Sequence, residues 1–336
     1  MAGHLGAYAV EMNPPLHISH SFGSVGGAGI AAASREGLRL TAGPFDWRRV
    51  LVRRLMRFMC LPMDVSAGVV SIGLRNVIET LKPGRVFVHW IGNEMLRYEE
   101  LKCLKGIPVT VVLHDFSMFE PPPYRKATWF DRWRLRRIDR VLRGLDVDYE
   151  APSEWAAKHI GELRPNARVT IRRTPVRAAF HDKKGGTGDH SRFRLLFGCQ
   201  GGRTNPYKGF ADLESALDLL PDTFKSKMEL HLFGEESDEC LTAGVKTMFH
   251  GVISDGDELA ELYRSCDALA FPSISETQGL VKDEALACGL KVVCFNRTAC
   301  PEGIAHKSNG YVAKDIPDFA NGLKWAYDAT RREGGI

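Results

Sequence analysis

Short, continuous apolar runs alternate along this chain with amphipathic segments, and that alternation limits the fold more than any other feature. The runs are LHISHSF (16–22), RVFVHWI (85–91), VTVVLHD (109–115), DVDYEAP (146–152), RFRLLFG (192–198), MELHLFG (228–234), ALAFPS (268–273) and LKVVCFN (290–296). Between many of them lie stretches with helical apolar spacing, such as DLESALDLL and DELAELYRSC. A strand that is apolar on both faces must be covered on both faces. Strands alternating with helices therefore predict a parallel sheet with helices on each side.

One segment breaks the pattern. HDKKGGTGDHSR (181–192) is polar and glycine-rich without an apolar period, which reads as a linker. A chain of 336 residues suits two domains of ordinary size. The expected organisation is an N-terminal extension (1–16), a Rossmann-like domain (17–180), the linker (181–192), a second Rossmann-like domain (193–316) and a C-terminal helix and tail (317–336). Both domains are expected to be α/β, each a doubly wound parallel sheet.

The net charge of +4 is too small to require nucleic acid as a partner. The first 16 residues lack a basic segment and are interrupted by Glu11, unlike a signal peptide. No apolar stretch approaches the roughly 20 residues that span a bilayer. The eight cysteines form no CxxC pair, and several sit in apolar runs such as LACGLKVVCF, where they act as small hydrophobes. The expected setting is reducing and cytoplasmic.

Ligands of open α/β sheets bind beyond the carboxyl ends of the strands, so the loops following the strands are where chemistry is sought. GSVGGAG (23–29) places Gly23, Gly26, Gly27 and Gly29 between a strand and a helix. It fits close approach of a ligand, including a dinucleotide, or a tight turn with no ligand, because its spacing is not GxGxxG. GRTNPYKG (202–209) sets Arg203 and Lys208 among glycines, which suits a diphosphate, although on this stretch alone a solvated turn with ordinary surface charges is the better reading.

The strongest signal is SISETQGLVKDEALACG (273–289). Gly279 stands where the chain turns into a helix, and Gly289 is a natural C-cap. The N–H groups around Gly279, Leu280 and Val281 face a phosphate in this reading. Glu276 precedes the helix, and Glu284 lies about one and a half turns into it. Two acids flanking a phosphate-binding helix start describe a nucleotide-sugar site; the plainer reading is helix-start charge with Glu284 on a solvated face. The triplet Asp146-Val147-Asp148 has the form of a metal-binding DxD, but no further hard ligands converge on it in sequence, and no metal is expected.

Two basic amphipathic stretches remain. FDWRRVLVRRLMRFMCLPM (45–63) has five arginines, with Trp47, Leu51, Leu55, Phe58 and Met59 near one helical face. YRKATWFDRWRLRRIDRVLR (124–143) carries eight cations and two tryptophans. Such helices lie on anionic membranes or bury an apolar stripe beneath a charged rim. For one of the two, peripheral contact with the anionic cytoplasmic membrane face and an ordinary buried stripe are equally good readings.

These segments, taken in order, resemble the retaining GT-B glycosyltransferases of family 4. FPSISETQGLVKDEALACGLKVVCFN is similar to their E-x7-E segment, GSVGGAGIAAASREGL to their N-terminal glycine loop, and FGCQGGRTNPYKGF to their phosphate loop. HWIGNEML, VVLHDFSMF, YEAPSEWAAK and PEGIAHKSNGYVA also resemble family segments, and within the family the chain is most similar to bacterial colanic-acid and exopolysaccharide enzymes. The resemblance implies two facing domains across a cleft and transfer of a sugar from a UDP- or GDP-type donor to a saccharide, lipid-linked acceptor, without a cofactor.

It also implies roles. Glu276 holds hydroxyls of the transferred sugar and Glu284 the ribose; Arg203 and Lys208 bind the diphosphate; Gly26 and Gly27 let the first domain close; His114 sits at the reacting centre. The sequence departs from the family at Gln278, where an aromatic is usual, and at Arg173 and Arg177, where Asn and Asp are usual. Those departures leave open a non-catalytic relative that binds nucleotide or saccharide and scaffolds an assembly complex. The chain also ends soon after ANGLKWAYDATRR, so the helix that returns to the first domain in the family is expected to be short.

Overall fold

The computed structural model describes residues 14–19, 37–40, 47–62, 66–89, 91, 95–181, 192–198, 201–237 and 240–333. Gly26, Gly27, most of the N-terminal extension and most of the 181–192 segment lie outside the described residues.

Two sheets organise the chain. The first contains β1 (Leu16–Ile18), β2 (Leu38–Leu40), β3 (Val86–Val88), β4 (Val109–Val112), β5 (Val147–Ala151) and β6 (Arg168–Ile171), in the order β2-β1-β3-β4-β5-β6. All its pairs are parallel. Helices α1 (Trp47–Phe58), α2 (Leu74–Leu81), α3 (Trp129–Leu142) and α4 (Glu154–Leu163) accompany it.

The second contains β7 (Phe193–Gly198), β8 (Met228–Phe233), β9 (Cys240–Thr242), β10 (Val245–Phe249), β11 (Ala268–Phe271), β12 (Lys291–Phe295) and β13 (Gly310–Ala313). Its order is β13-β12-β11-β7-β8-β10-β9, parallel except for the β9–β10 hairpin. That hairpin turns on Ala243 and Gly244, both at positive φ (49° and 82°), as a tight two-residue turn requires. Helices α5 (Phe210–Asp218), α6 (Asp222–Lys225), α7 (Gly256–Arg264), α8 (Leu280–Ala287) and α9 (Ile316–Glu333) belong to this half.

The second sheet is apolar on both faces. Leu195, Phe197, Ala268, Ala270, Val293 and Phe295 enter one buried cluster. Leu196, Leu269, Phe271, Val292 and Cys294 enter another on the opposite face. This is the packing that continuous apolar runs demand. Each of the eight runs read from the sequence contains a strand. The strands without such a run are β2, β6, β9, β10 and β13. β2, β6 and β9 are mostly exposed, so their sequences carry little apolar signal.

Strand order reverses between β1 and β3 in the first sheet and between β7 and β11 in the second. Crevices for ligands open at such points, beyond the carboxyl ends of the strands. Helix α9 buries Phe319, Ala320, Leu323 and Ala326 in the core of the second sheet.

Leu323→Ala is expected to cost about 2–5 kcal/mol of unfolding free energy, the range for emptying a buried leucine site. Leu241→Ala, on the exposed edge hairpin, should stay within about 0.5 kcal/mol of the parent. Denaturant titrations that gave equal losses for both would remove α9 from the core.

Candidate functional site

The crevice between β7 and β11 is built by two loops held backbone against backbone. The loop after β7 uses positive φ at Gly201, Gly202 and Gly209. A Cβ on Gly209 would stand 2.2 Å from the carbonyl oxygen of Pro272, in the loop after β11. The Ile274 N–H donates to the Tyr207 carbonyl at 2.8 Å across the same junction. Only glycine lets the chains approach this closely.

Each cation of the first loop meets an acid. Lys208 Nζ donates to Glu276 Oε1 at 2.6 Å, and Ser273 Oγ donates to the same oxygen at 2.9 Å. The Glu276 N–H donates to Thr298 Oγ1 at 2.9 Å, fixing the backbone under the carboxylate. Arg203 donates from its backbone N–H and from Nε to the two oxygens of Glu235, each at 2.6 Å, and lies 4.7 Å from the centre of the Phe249 ring. A Cβ on Gly202 would fall 2.1 Å from Glu235 Oε2, so this glycine admits the carboxylate.

Helix α8 starts at Gly279, which has φ 82° and no side-chain cap. Leu280 and Val281 open its first turn. Below them Lys282, fully buried, donates to Asp283 Oδ1 at 2.7 Å and to the Glu302 carbonyl. Glu284 is 3% exposed and therefore is not on a solvated face. It accepts from Arg177 Nη2 at 3.3 Å and from the Tyr263 hydroxyl at 3.2 Å. Burial pushes its carboxyl up to about 7 from the ordinary 4.5, against the opposing pull of Arg177.

The positions that depart from the family pattern are used here as ties. Gln278 accepts from the Thr174 N–H and donates to the Thr174 carbonyl, both at 2.9 Å, like one rung of a ladder. Arg173 pairs with Glu302, and Arg177 with Glu284. Glu302 also accepts from the Trp155 N–H at 2.6 Å, and Thr277 Oγ1 donates to the His114 carbonyl at 2.8 Å. The half-buried His114 thus sits against the SISETQG loop from the other sheet.

Of the residues read from the sequence, Lys208 and Glu276 are in direct contact, and Gly279, Leu280, Val281 and Glu284 share one helix start. Arg203 stands in the same loop as Lys208 but bonds to Glu235. Gly26 and Gly27 lie outside the described residues. Sequence reasoning missed Glu235, Ser273, Thr298 and Glu302. Glu235 was findable, because it follows β8 at the same sheet edge as the two loops already singled out.

Asp146 and Asp148 both pair with Arg168. In the second basic run, Arg137 serves Glu99 and the carbonyls of Ala67 and Gly68, Arg125 serves Asp131, and Arg134 is buried. In α1, Met56 and Val52 pack inward, while Leu51, Leu55 and Phe58, with Met59 just after the helix, are exposed beside its arginines. No helix among the described residues is long and apolar enough to cross a membrane.

Residues 197–331 match the family model described as glycosyl transferases group 1. An uncharacterized glycosyltransferase of Methanocaldococcus jannaschii is 31% identical over 40% of this chain and 35% of its own length. The sulfoquinovosyl transferase of Arabidopsis thaliana is 34% identical over 32% of this chain and 21% of its own. A D-inositol 3-phosphate glycosyltransferase of Stackebrandtia nassauensis is 42% identical over 23% of this chain and 18% of its own. The chain thus spans well under half the length of each of these relatives.

The solved structure of sucrose-phosphate synthase from Thermosynechococcus elongatus superposes with a TM-score of 0.63 at 16% identity, covering 96% of this chain and 93% of that one. The Anabaena protein HepE, solved with UDP and glucose, superposes with a TM-score of 0.62 at 17% identity, covering 95% and 91%. The fold is GT-B: two parallel-sheet α/β domains.

Glu284 makes stability depend on pH. Its folded carboxyl holds a proton more tightly than the unfolded one, so its contribution is complete below pH 4.5 and is lost as pH rises through about 7. The loss is on the order of 3 kcal/mol. Glu284→Gln should therefore flatten the fall in denaturant midpoint between those two pH values. Parallel pH profiles for parent and variant would contradict the buried, proton-holding carboxyl.

Proposed function

We propose that this protein is a retaining glycosyltransferase that moves a sugar from a nucleotide-diphosphate donor, of the UDP or GDP type, to a saccharide acceptor. The observation that carries the reading is the Lys208–Glu276 pair, which bridges the two loops of the second crevice in front of the α8 start. A diphosphate entering there offers Lys208 a doubly charged partner in place of one carboxylate. Arg203 adds a planar fork beside it, and the positive helix end completes the set. As the glycosidic bond breaks, charge gathers on the departing phosphoryl oxygen, where these fixed donors act most strongly.

Glu276, released from Lys208, turns to hydroxyls of the transferred sugar. Glu284 takes the ribose from below, sharing its oxygens with Arg177 and Tyr263. His114 faces the reacting centre from the first domain. The family profile over 197–331 and the UDP and glucose described with the Anabaena structure support a nucleotide-sugar donor. No cofactor or metal is needed in this scheme, because cations and a helix end meet the diphosphate.

The acceptor in this reading is a lipid-linked saccharide of surface polysaccharide assembly, as the resemblance to colanic-acid and exopolysaccharide enzymes implies. The exposed apolar residues of α1, flanked by Arg53, Arg54 and Arg57, support peripheral contact with an anionic, cytoplasmic membrane face. A second reading is favoured by one observation: Glu284 is buried under Arg177 and Tyr263. A non-catalytic scaffold that binds nucleotide or saccharide would tolerate such a plug.

Lys208→Ala and Arg203→Ala should each leave the fold intact and lower transfer by about 10²-fold or more, the scale of losing one donor to developing charge. Transfer should survive EDTA; loss on chelation with recovery on adding Mg²⁺ would restore the metal reading of Asp146 and Asp148. Near-parental kinetics in both cation variants would end the diphosphate assignment.

The two acids are separable with the donor varied. Glu284→Gln should raise KM more than it lowers kcat, because the ribose does not change during reaction. Glu276→Gln should lower kcat chiefly. The opposite pattern would exchange their roles, and no change in either would favour the scaffold.

A further inference from the structure

Three histidines form a hydrogen-bonded line across the first sheet. His17 lies in β1, His89 follows β3, and His114 follows β4. The register pairs His17 with Phe87, two residues before His89. It pairs Val88 with Val111, which sets His89 level with Val112, two residues before His114. Successive histidines thus share one face, and each step moves one strand across and two residues toward the carboxyl edge. His17 Nδ1 and His89 Nε2 are 3.0 Å apart, and His89 Nδ1 and His114 Nε2 are 2.9 Å apart. His17 stacks flat on Phe87 with ring centres 4.6 Å apart. His17 and His89 are buried and His114 is half-buried, so the line runs from the core to the loop after β4, where the His114 carbonyl meets Thr277.

A neutral imidazole carries one N–H, and each N···N contact needs one. The middle ring has only one to give. If His89 donates from Nδ1 to His114, its Nε2 must accept from His17 Nδ1, and the remaining N–H of the line stands on His114 Nδ1. If His114 donates from Nε2, then His89 donates from Nε2 to His17, and His114 Nδ1 is left without a hydrogen. The three rings therefore have two joint states. No ring changes its tautomer alone without breaking a bond.

We infer that His17 and His89 are positioning residues that determine which nitrogen of His114 carries its proton, and so whether His114 donates or accepts toward the crevice. The inference rests on the reading that His114 faces the reacting centre. A lone histidine exchanges tautomers freely in water, whereas a base or donor at a reacting centre needs one fixed form. Two buried polar rings beside apolar strand residues such as Leu16, Ile18, Val86 and Val88 are costly unless hydrogen-bonded, and this line bonds His17 through Nδ1 and His89 through both ring nitrogens.

The test is imidazole nitrogen NMR on the full chain, labelled at histidine, near pH 8.5, about two units above the ordinary imidazole value of about 6.5. His114 in the parent should show one protonated and one bare nitrogen, with coupling through the hydrogen bond between its Nε2 and His89 Nδ1. His17→Phe, which keeps the stack on Phe87, and His89→Phe should both move the His114 nitrogens toward a common averaged position. With a competent donor and acceptor, both variants should lose turnover by at least about tenfold, while affinity for UDP stays at the parental value. Absence of the coupling in the parent, or unchanged His114 nitrogens in whichever variant folds, would overturn the inference. A shifted tautomer in a protein whose parent transfers no sugar would uphold the line of histidines and reject the transferase reading instead.

Discussion

The contact on which the second crevice depends is the ion pair between Lys208 and Glu276. It joins the loop after β7 to the loop after β11, at the point where strand order reverses. Two cations and an uncapped helix start placed close together repel one another in the absence of an anion. Glu276 and Glu235 take up that positive charge, one for each cation. In the proposed function the site is thereby preassembled, and a ligand with more negative charge has only to exchange partners. A partly exposed pair of this kind adds little net stability by itself, so its use is positional. The glycines follow from the same requirement: Gly202 and Gly209 stand where a carboxylate and a backbone carbonyl occupy the space of a Cβ.

The same residues connect the two halves of the molecule. The stretch that carries Glu276 also presents Thr277 to the His114 carbonyl and Gln278 to Thr174. Arg173 and Arg177 bind the acids of the second half, Glu302 and Glu284. In the proposed function, a ligand that moves Glu276 acts on the same loop that touches His114 and Thr174. The departures from the family pattern at positions 173, 177 and 278 are in this light one set of mutually compatible ties.

Much of this was legible in the sequence because its signal is local. A strand buried on both faces must be a continuous apolar run, so β3, β4, β7, β8, β11 and β12 could be read, whereas the internal but half-exposed β10 could not. Edge strands such as β2 and β6 carry charge on their exposed sides and look like loops. The helix start at Gly279 was readable from one glycine and the acids around it. The partner Thr298 was not, because it comes in from a loop that no sequence signal singled out. The histidine line was hidden as well. His17, His89 and His114 each look like an isolated ring in an apolar strand until the register places them on one face. Glu284 shows the opposite limit: helical spacing located it, but only packing against Tyr263 shows that it is buried.

The proposed function requires Lys208 to exchange Glu276 for a diphosphate. The most direct measurement is a crystal structure of the protein with UDP or GDP bound. Lys208 Nζ is expected within hydrogen-bond distance of a terminal phosphoryl oxygen and away from Glu276, with that phosphate before the first turn of α8. A nucleotide bound elsewhere, or one seated there with the Lys208–Glu276 contact still at 2.6 Å, would contradict it.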